Sequence, residues 1–301
     1  MPTVSASRLR SIASDLLQCS GASREEADIV SVHVVGANLA GHDSHGILQI
    51  PRYVDRVKKG EIVAGADFEI VSETDNATVV DGNWGFGYVV TEKAMQITIE
   101  KARRNSVAAA TVFKQGHVGR VSDYPVMAAK AGMIGMMTAD SGRSPKQVAP
   151  FGGSKARLGT NPISFAMPSD LEGPLFIDMA TSAAAEGKLA VASARGVPIP
   201  EGWVLDRDGN PTTDTAAYYD GGVLLPLGGA EGHKGYGLSV MVEIFSGLLT
   251  GLGFGVEPSG RHNDGCFMAV FNVEAFRPLD QFKKDVSDFA RYLKDTPAQT
   301  G

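Results

Sequence analysis

The sequence predicts an α/β protein that joins a strand-and-helix domain to a discontinuous, mainly helical one. Three observations carry that reading. Helical apolar spacing fills the first sixty residues with no strand signal between. From residue 68 to residue 138, strand-type runs alternate with helix-type runs, and the strands are apolar on both faces, as in a covered sheet. A helical pattern returns near the end, after one more strand-type run, and is expected to pack with the first helices. The division expected is residues 1–66 with 251–301 for the helical part, and 67–250 for the sheet part.

Leu9, Ile12, Ala13, Leu16 and Leu17 recur at helical spacing, so residues 6–18 form an amphipathic helix that Gly21 ends. Ser23 and Glu26 have the form of a capping box and open a second helix to about Leu39. Ile47, Ile50, Val54 and Val57 resume the spacing, with Pro51 kinking or restarting that helix. Strands are predicted over 68–72, 77–81, 107–113, 133–138, 163–167 and 175–178, with helices over 88–104 and 121–130. Residues 197–213 are rich in turn formers and read as a surface excursion. A helix over 235–249, a strand over 266–272 and a helix over 279–293 complete the chain.

The 301 residues are 43% hydrophobic and 21% charged, enough for a large core and too apolar for disorder. A net charge of −6 and a pI near 5.5 argue against a nucleic-acid partner, which needs a basic face. The two cysteines, Cys19 and Cys266, form neither a disulfide framework nor a metal pattern. With no signal-type or membrane-length apolar run, the chain reads as a soluble, cytoplasmic protein with no membrane partner.

Five stretches attract attention as chemistry. GHDSHG, from Gly41 to Gly46, packs two histidines, a carboxylate and a hydroxyl between glycines. His45 can exchange a proton near neutral pH, with Ser44 or Asp43 fixing its tautomer. The plain alternative is that Asp43 or Ser44 caps a helix. His117 lies in GHVGR between a strand and a helix, where a ligand loop sits in an α/β sheet. Arg120 adds positive charge there; the plain alternative is that His117 caps the helix. A long loop over 140–161 holds Ser141, Arg143 and Gln147. Asp178 ends a strand just before a helix, where it can orient a histidine, hold a ribose hydroxyl or act as an N-cap. His233 and Lys234 open a helix, a costly place for a cation unless an anion binds it. DGNWGFG (residues 81–87) resembles a nucleotide loop but lacks the GxGxxG spacing and a following acidic residue, so it reads as a turn.

GHDSHGI with IPRY, GHVGR, APFGG with RLGTNP, DMATS with GK, IPEGW with PTTD, and GHKGYGL occur in this order. Together they resemble the second, non-Rossmann family of malate/L-lactate dehydrogenases, and AGHDSHGI and HVGR look closest to its hydroxycarboxylate dehydrogenase B branch. The resemblance runs from about residue 6 to residue 295. It implies a family-specific, non-Rossmann dehydrogenase fold with a cofactor-binding sheet domain and a discontinuous helical domain. It implies a homodimer, and NAD-dependent (NADP possible) interconversion of a small 2-hydroxy acid and its 2-oxo acid. His45 then corresponds to the catalytic histidine, oriented by Ser44 and Asp178. His117, Gly119, Arg120 and Val121 correspond to a loop against the cofactor, and His117 and Ser141 to positions beside the substrate. Asp178, Met179, Ala180, Thr181 and Ser182 correspond to the stretch holding the nucleotide, and His233 with Lys234 to a further cofactor contact. No metal is implied.

Arg52 is assigned to the substrate carboxylate on its own chemistry, because a guanidinium grips a carboxylate at two points. Gln49 stands where some members carry arginine, and Asp140 where asparagine or an apolar residue is common. Members usually continue through a Pro-Gly-Glu segment that touches the cofactor. This sequence ends at Gly301 without it, so either that site is closed differently or the chain is incomplete. The alternatives are a reductase of cyclic 2-imino acids on the same scaffold and a non-catalytic nucleotide-binding homologue. A hydrolase using Ser44 and His45 is disfavoured by the absence of a GxSxG elbow.

Overall fold

The structure, a computed structural model, describes residues 3–140, 145–256 and 261–299. Ser141 and Arg143, two candidates of the long loop, lie outside them. Helices α1 (Ala6–Cys19) and α2 (Arg24–Leu39) form an antiparallel hairpin, and the Ser23–Glu26 capping box at α2 is complete in both directions. Helix α3 (Ile50–Lys58) follows two short 3-10 turns, Asp43–His45 and Ile47–Gln49. Pro51 stands in the first turn of α3, where no N–H is missed, so it starts the helix rather than kinking it. Leu17, Val30, Val34, Ile50 and Tyr53 build the core of this helical lobe.

Strands β1 (Glu69–Glu73) and β2 (Ala77–Gly85) form a hairpin, and helix α4 (Gly87–Asn105) crosses to β3 (Val107–Gln115), parallel to β2. The DGNWGFG stretch is the bulged end of β2 rather than a turn: pairing with β3 breaks between Asp81 and Gly85, and Asn83 and Trp84 adopt positive φ. Helix α5 (Asp123–Lys130) leads to β4 (Met133–Asp140), and β5 (Ile163–Met167) and β6 (Leu175–Met179) add a second hairpin. Next come α6 (Glu186–Arg195), β7 (Val204–Leu205), β8 (Pro211–Thr212), α7 (Thr215–Tyr219) and β9 (Val223–Leu224). The surface excursion thus contributes two strands of a small three-stranded sheet that β9 completes, with its own core around Leu189, Val204 and Leu224. Helix α8 (His233–Val242) continues as a π-helical turn, Glu243–Leu248, before β10 (Gly265–Asn272) and α9 (Leu279–Lys294).

The main sheet has the order β1-β2-β3-β10-β4-β5-β6. Strands β2, β3 and β4 run parallel to one another, as the alternating pattern implies, but β10 is inserted antiparallel between β3 and β4. This corrects the expected division, in which β10 belongs with the N-terminal helices. Cys266, Met268 and Val270 instead share the central core with Val112, Met137 and the α4 residues Ala94 and Met95. Helix α9 likewise packs away from the first helices: Ser287 accepts a hydrogen bond from the Asp170 N–H and Lys283 pairs with the Asp170 carboxylate, both at the β5–β6 hairpin. Local periodicity predicts a strand but not its partners, which here lie some 130 to 160 residues away in sequence.

Candidate active site

The C-terminal ends of β2, β3, β4 and β6 all face one side of the sheet, the usual address of a ligand in an α/β protein. The helical lobe lies over that side, and its core reaches the start of α4 through Phe86, Tyr88 and Val89. The 3-10 turn bearing His45 therefore sits at the seam. Its shape comes from Asn38 on α2, a residue the sequence reading did not single out. The Asn38 amide donates to Asp43 Oδ1 at 2.6 Å, and its oxygen accepts the Ile47 N–H at 2.8 Å. A Cβ on Gly46 would lie 2.3 Å from Asn38 Oδ1, so only glycine fits beside it. Gln49 donates to the Ser44 carbonyl at 2.6 Å. Neither Asp43 nor Ser44 caps a helix, which removes the plain alternative for this stretch.

Ser44 Oγ lies 2.9 Å from His45 Nδ1 and so engages that side of the ring. Nε2 of His45 has no hydrogen-bond partner among the described residues. Burial lowers the His45 pKa below its usual value, and the nearby His42 and Arg120 lower it further against Asp178 and Asp264. The ring stacks on His117, centroids 5.6 Å apart. His117 Nδ1 lies 2.7 Å from the Tyr53 hydroxyl, itself 3.0 Å from the Tyr88 hydroxyl. Burial, outweighing the pull of Asp264, pushes the His117 pKa down to about 3. This histidine is neutral at every physiological pH.

The loop bearing His117 is fastened at several points by acidic side chains. Asp264, at the entrance to β10, accepts the Val118 N–H at 3.0 Å and pairs with His262 at 2.8 Å. Burial would raise its pKa, but the charge and hydrogen bond of His262, with the Val118 N–H, prevail and lower it. Asp178 accepts the Ser122 N–H at 2.8 Å, so its hydrogen bond goes to this loop and not to His45, on which it acts through its charge. Arg120 is bound to Asp123, with Nε 2.8 Å from Oδ1. Gly119 adopts φ +71° over the Tyr88 ring, where a Cβ would lie 2.2 Å from Cε1, and Val121 is buried in the central core.

The remaining candidates fall into two groups. Beyond the Asp178–Ser182 stretch, the start of α6 meets the His45 turn: a Cβ on Gly187 would lie 2.8 Å from Ser44 Cβ. Met179 and Ala180 are half-buried at the end of β6. The hydroxyls of Thr181 and Ser182 are buried and spent on the Asn161 and Ala184 carbonyls, so this stretch offers a ligand backbone rather than hydroxyls. His233 and Lys234 are exposed at the start of α8, beside Phe151 and Glu231, and no contact joins them to His45 or His117. Arg52 is exposed on α3 and makes no hydrogen bond or ion pair with a described residue, while its neighbour Tyr53 turns inward.

A second ionic cluster went unread in the sequence. Lys146, only 4% exposed, lies 3.3 Å from Asp140 Oδ1 and 2.9 Å from Glu243 Oε1, and Asn161 donates to Glu243 Oε2 at 3.0 Å. Burial and the Glu243 charge raise the Asp140 pKa to about 7 against the pull of Lys146. Such groupings leave no local signal, because their members come from four separate segments.

A histidine pair at strand ends, one ring held by a serine and the other kept neutral, is an arrangement that can carry acid–base chemistry. Arg120 is the cation whose charge reaches this pair, whereas Lys234 lies apart at the start of α8. The chain belongs to the malate/L-lactate dehydrogenase family, whose model matches residues 4–301. It is 40% identical over 285 residues to a malate dehydrogenase of Pyrococcus abyssi, covering 92% of this chain and 77% of that one. It is 40% identical over 231 residues to hydroxycarboxylate dehydrogenase B of Escherichia coli K12, covering 77% of this chain and 63% of that one. The fold matches the malate dehydrogenase of Entamoeba histolytica with TM-score 0.94 and 34% identity, over 100% of this chain and 87% of that one. It matches the delta1-piperideine-2-carboxylate reductase of Pseudomonas syringae with TM-score 0.90 and 30% identity, over 100% and 90%. The family and fold resemblance read from the motifs is thereby established.

Proposed function

We propose that this protein is an NAD(P)-dependent dehydrogenase of 2-hydroxy acids, with His45 as its acid–base group. The observation that carries the proposal is the state of the His45 ring: Nδ1 is engaged by Ser44 while Nε2 has no hydrogen-bond partner among the described residues. When bound, the nicotinamide supplies or accepts the hydride at C2 of the substrate. In reduction, protonated His45 gives its proton to the oxygen on which charge develops, and in oxidation neutral His45 takes it back. We assign the ring proton of His117 to Nε2, with the Tyr53 hydroxyl, 2.7 Å away, donating to Nδ1, so that His117 serves as a neutral donor to the substrate oxygen. Arg52, exposed and without a hydrogen bond or ion pair to a described residue, fixes the substrate carboxylate and so the attack geometry. Ser141 keeps the substrate-side role that the motif resemblance implies. Gly119, Arg120 and Val121, the Asp178–Ser182 stretch, and His233 with Lys234 hold the dinucleotide. Of the two cofactors, we favour NAD.

The first test is a titration with NADH and with NADPH, following the fluorescence of Trp84 and Trp203. Saturable binding of one of them, followed by turnover on a panel of 2-oxo acids, supports the reading. Binding of neither at millimolar concentration overturns it. The likeness to a piperideine carboxylate reductase supports a second reading, in which the same proton and hydride delivery reduces a cyclic 2-imino acid. Turnover on an imino acid with none on oxo acids selects it.

We also propose a homodimer that buries the outer face of α8 and the π-helical turn. Leu238, Met241, Ile244, Leu248 and Leu249 are 40 to 57% exposed there. Among the described residues, no helix is long and apolar enough to cross a membrane. We place the protein in the cytoplasm. Sedimentation of wild type against Met241→Glu tests the dimer: a monomer–dimer difference supports this face, and unchanged mass excludes it.

A further inference from the structure

His33 lies on α2, outside every motif that marks the site. Its side chain is only 10% exposed, and both ring nitrogens meet carboxylates. Nδ1 is 2.8 Å from Asp123 Oδ2, and Nε2 is 3.0 Å from Glu92 Oε2. An imidazole that donates from both nitrogens carries a positive charge. Its rings of contact are the aromatic faces of Tyr88 on α4 and Tyr124 on α5, at 5.3 and 5.5 Å. The charged groups facing it are therefore Glu92 from α4 and Asp123 from α5, with Arg120 just beyond.

Asp123 is the hinge of the arrangement. One of its oxygens accepts from His33, and the other accepts from Arg120, in the loop that carries His117. A carboxylate bound on one side only could rotate. Bound on both sides, it fixes the guanidinium. The Arg120 charge is felt at His45, so its placement bears on the acid–base group as well as on the loop. Burial alone would lower the His33 pKa, but the hydrogen bonds and charges of Asp123 and Glu92 raise it to about 9. The ring thus keeps its charge through neutral pH.

We propose that His33 is a positioning residue: held as an imidazolium between Glu92 and Asp123, it locks the Asp123 carboxylate and through it aims the Arg120 guanidinium at the bound dinucleotide. The cofactor part of this proposal rests on the dehydrogenase reading, whereas the aiming of Arg120 is a property of the free protein.

The test uses the full chain. In wild type, the ring nitrogen signals of His33, assigned by their loss in His33→Gln, stay those of an imidazolium above pH 8. The Arg120 Nε–H signal, assigned by its loss in Arg120→Lys, is sharp. In folded His33→Gln and Asp123→Asn it broadens or shifts, and His33→Lys, which restores a charge, recovers it in part. The dissociation constant for NADH or NADPH rises at least ~threefold in His33→Gln, the low end for coupling within one hydrogen-bond network. In the double variant with Arg120→Gln, the loss is no greater than in Arg120→Gln alone. An unchanged Arg120 signal in folded His33→Gln, a neutral His33 at pH 8, or strictly additive losses overturn the proposal. If wild type binds neither nucleotide, the dehydrogenase reading fails, and the Arg120 signal alone still decides the role of His33.

Discussion

The imidazoles of His45 and His117 lie face to face, 5.6 Å apart with planes inclined by 30°, although 71 residues of sequence separate them. Two imidazolium rings this close would repel. Burial and mutual repulsion both hold His117 neutral, and so the site can carry its one exchangeable proton on His45.

Replacing His45 by Ala is expected to lower turnover on the order of 10²-fold or more, the usual scale for a lost acid–base group. Steady-state assays in both directions check it. Unchanged turnover assigns the proton to another residue.

The lowered pKa of His45 sets the sign of the pH profile. Oxidation of the hydroxy acid needs the neutral ring, so kcat/KM falls on the acid side with an apparent pKa below the usual ~6.5. His42 lowers that pKa, so His42→Gln moves the acid limb to higher pH. Asp264 raises it, so Asp264→Asn moves the limb to lower pH. Paired pH–rate profiles of the two variants measure both displacements.

Tyr53→Phe deletes a buried hydroxyl that meets both His117 Nδ1 and the Tyr88 hydroxyl. Leaving such groups unpaired costs about 1–3 kcal/mol, expected as a lowered urea midpoint with an unchanged slope. Turnover falls as well, because the proton of His117 is no longer directed to Nε2.

Stability should depend on pH through His33. Its folded pKa of about 9 lies above the unfolded value of 6.5, so its contribution is complete below pH ~6.5 and is lost as pH rises through 9. The amount is of order 3 kcal/mol, at ~1.4 kcal/mol per unit. His33→Gln should be less stable than wild type at pH 6 and nearly level with it above pH 9.5. A constant difference across that range would contradict the linkage.

The sequence made the ingredients of the site legible, and less so their couplings. GHDSHG, GHVGR and Asp178 each announce chemistry through residue types packed into a short span, and the fold brings them to one seam. Asn38, His33, Tyr53 and Asp264 shape that seam through bonds spanning 9 to 146 residues of sequence, with no local signature of their own. Asp178 shows the limit from the other side. Its place at a strand end was readable, but whether it faces His45 or the Ser122 N–H depends on how α5 begins. The strands themselves were visible as apolar runs, whereas the insertion of β10 was not, since any apolar run can pair with any other.

That insertion governs how the protein can be assembled. During synthesis, β3 and β4 emerge with the slot between them vacant, and more than 120 residues must follow before β10 fills it. Until then both strands expose free edges, a known route to aggregation. Contacts so distant in the chain also slow folding. A chain cut short before residue 265 would therefore lack the strand that joins the two halves of its central sheet.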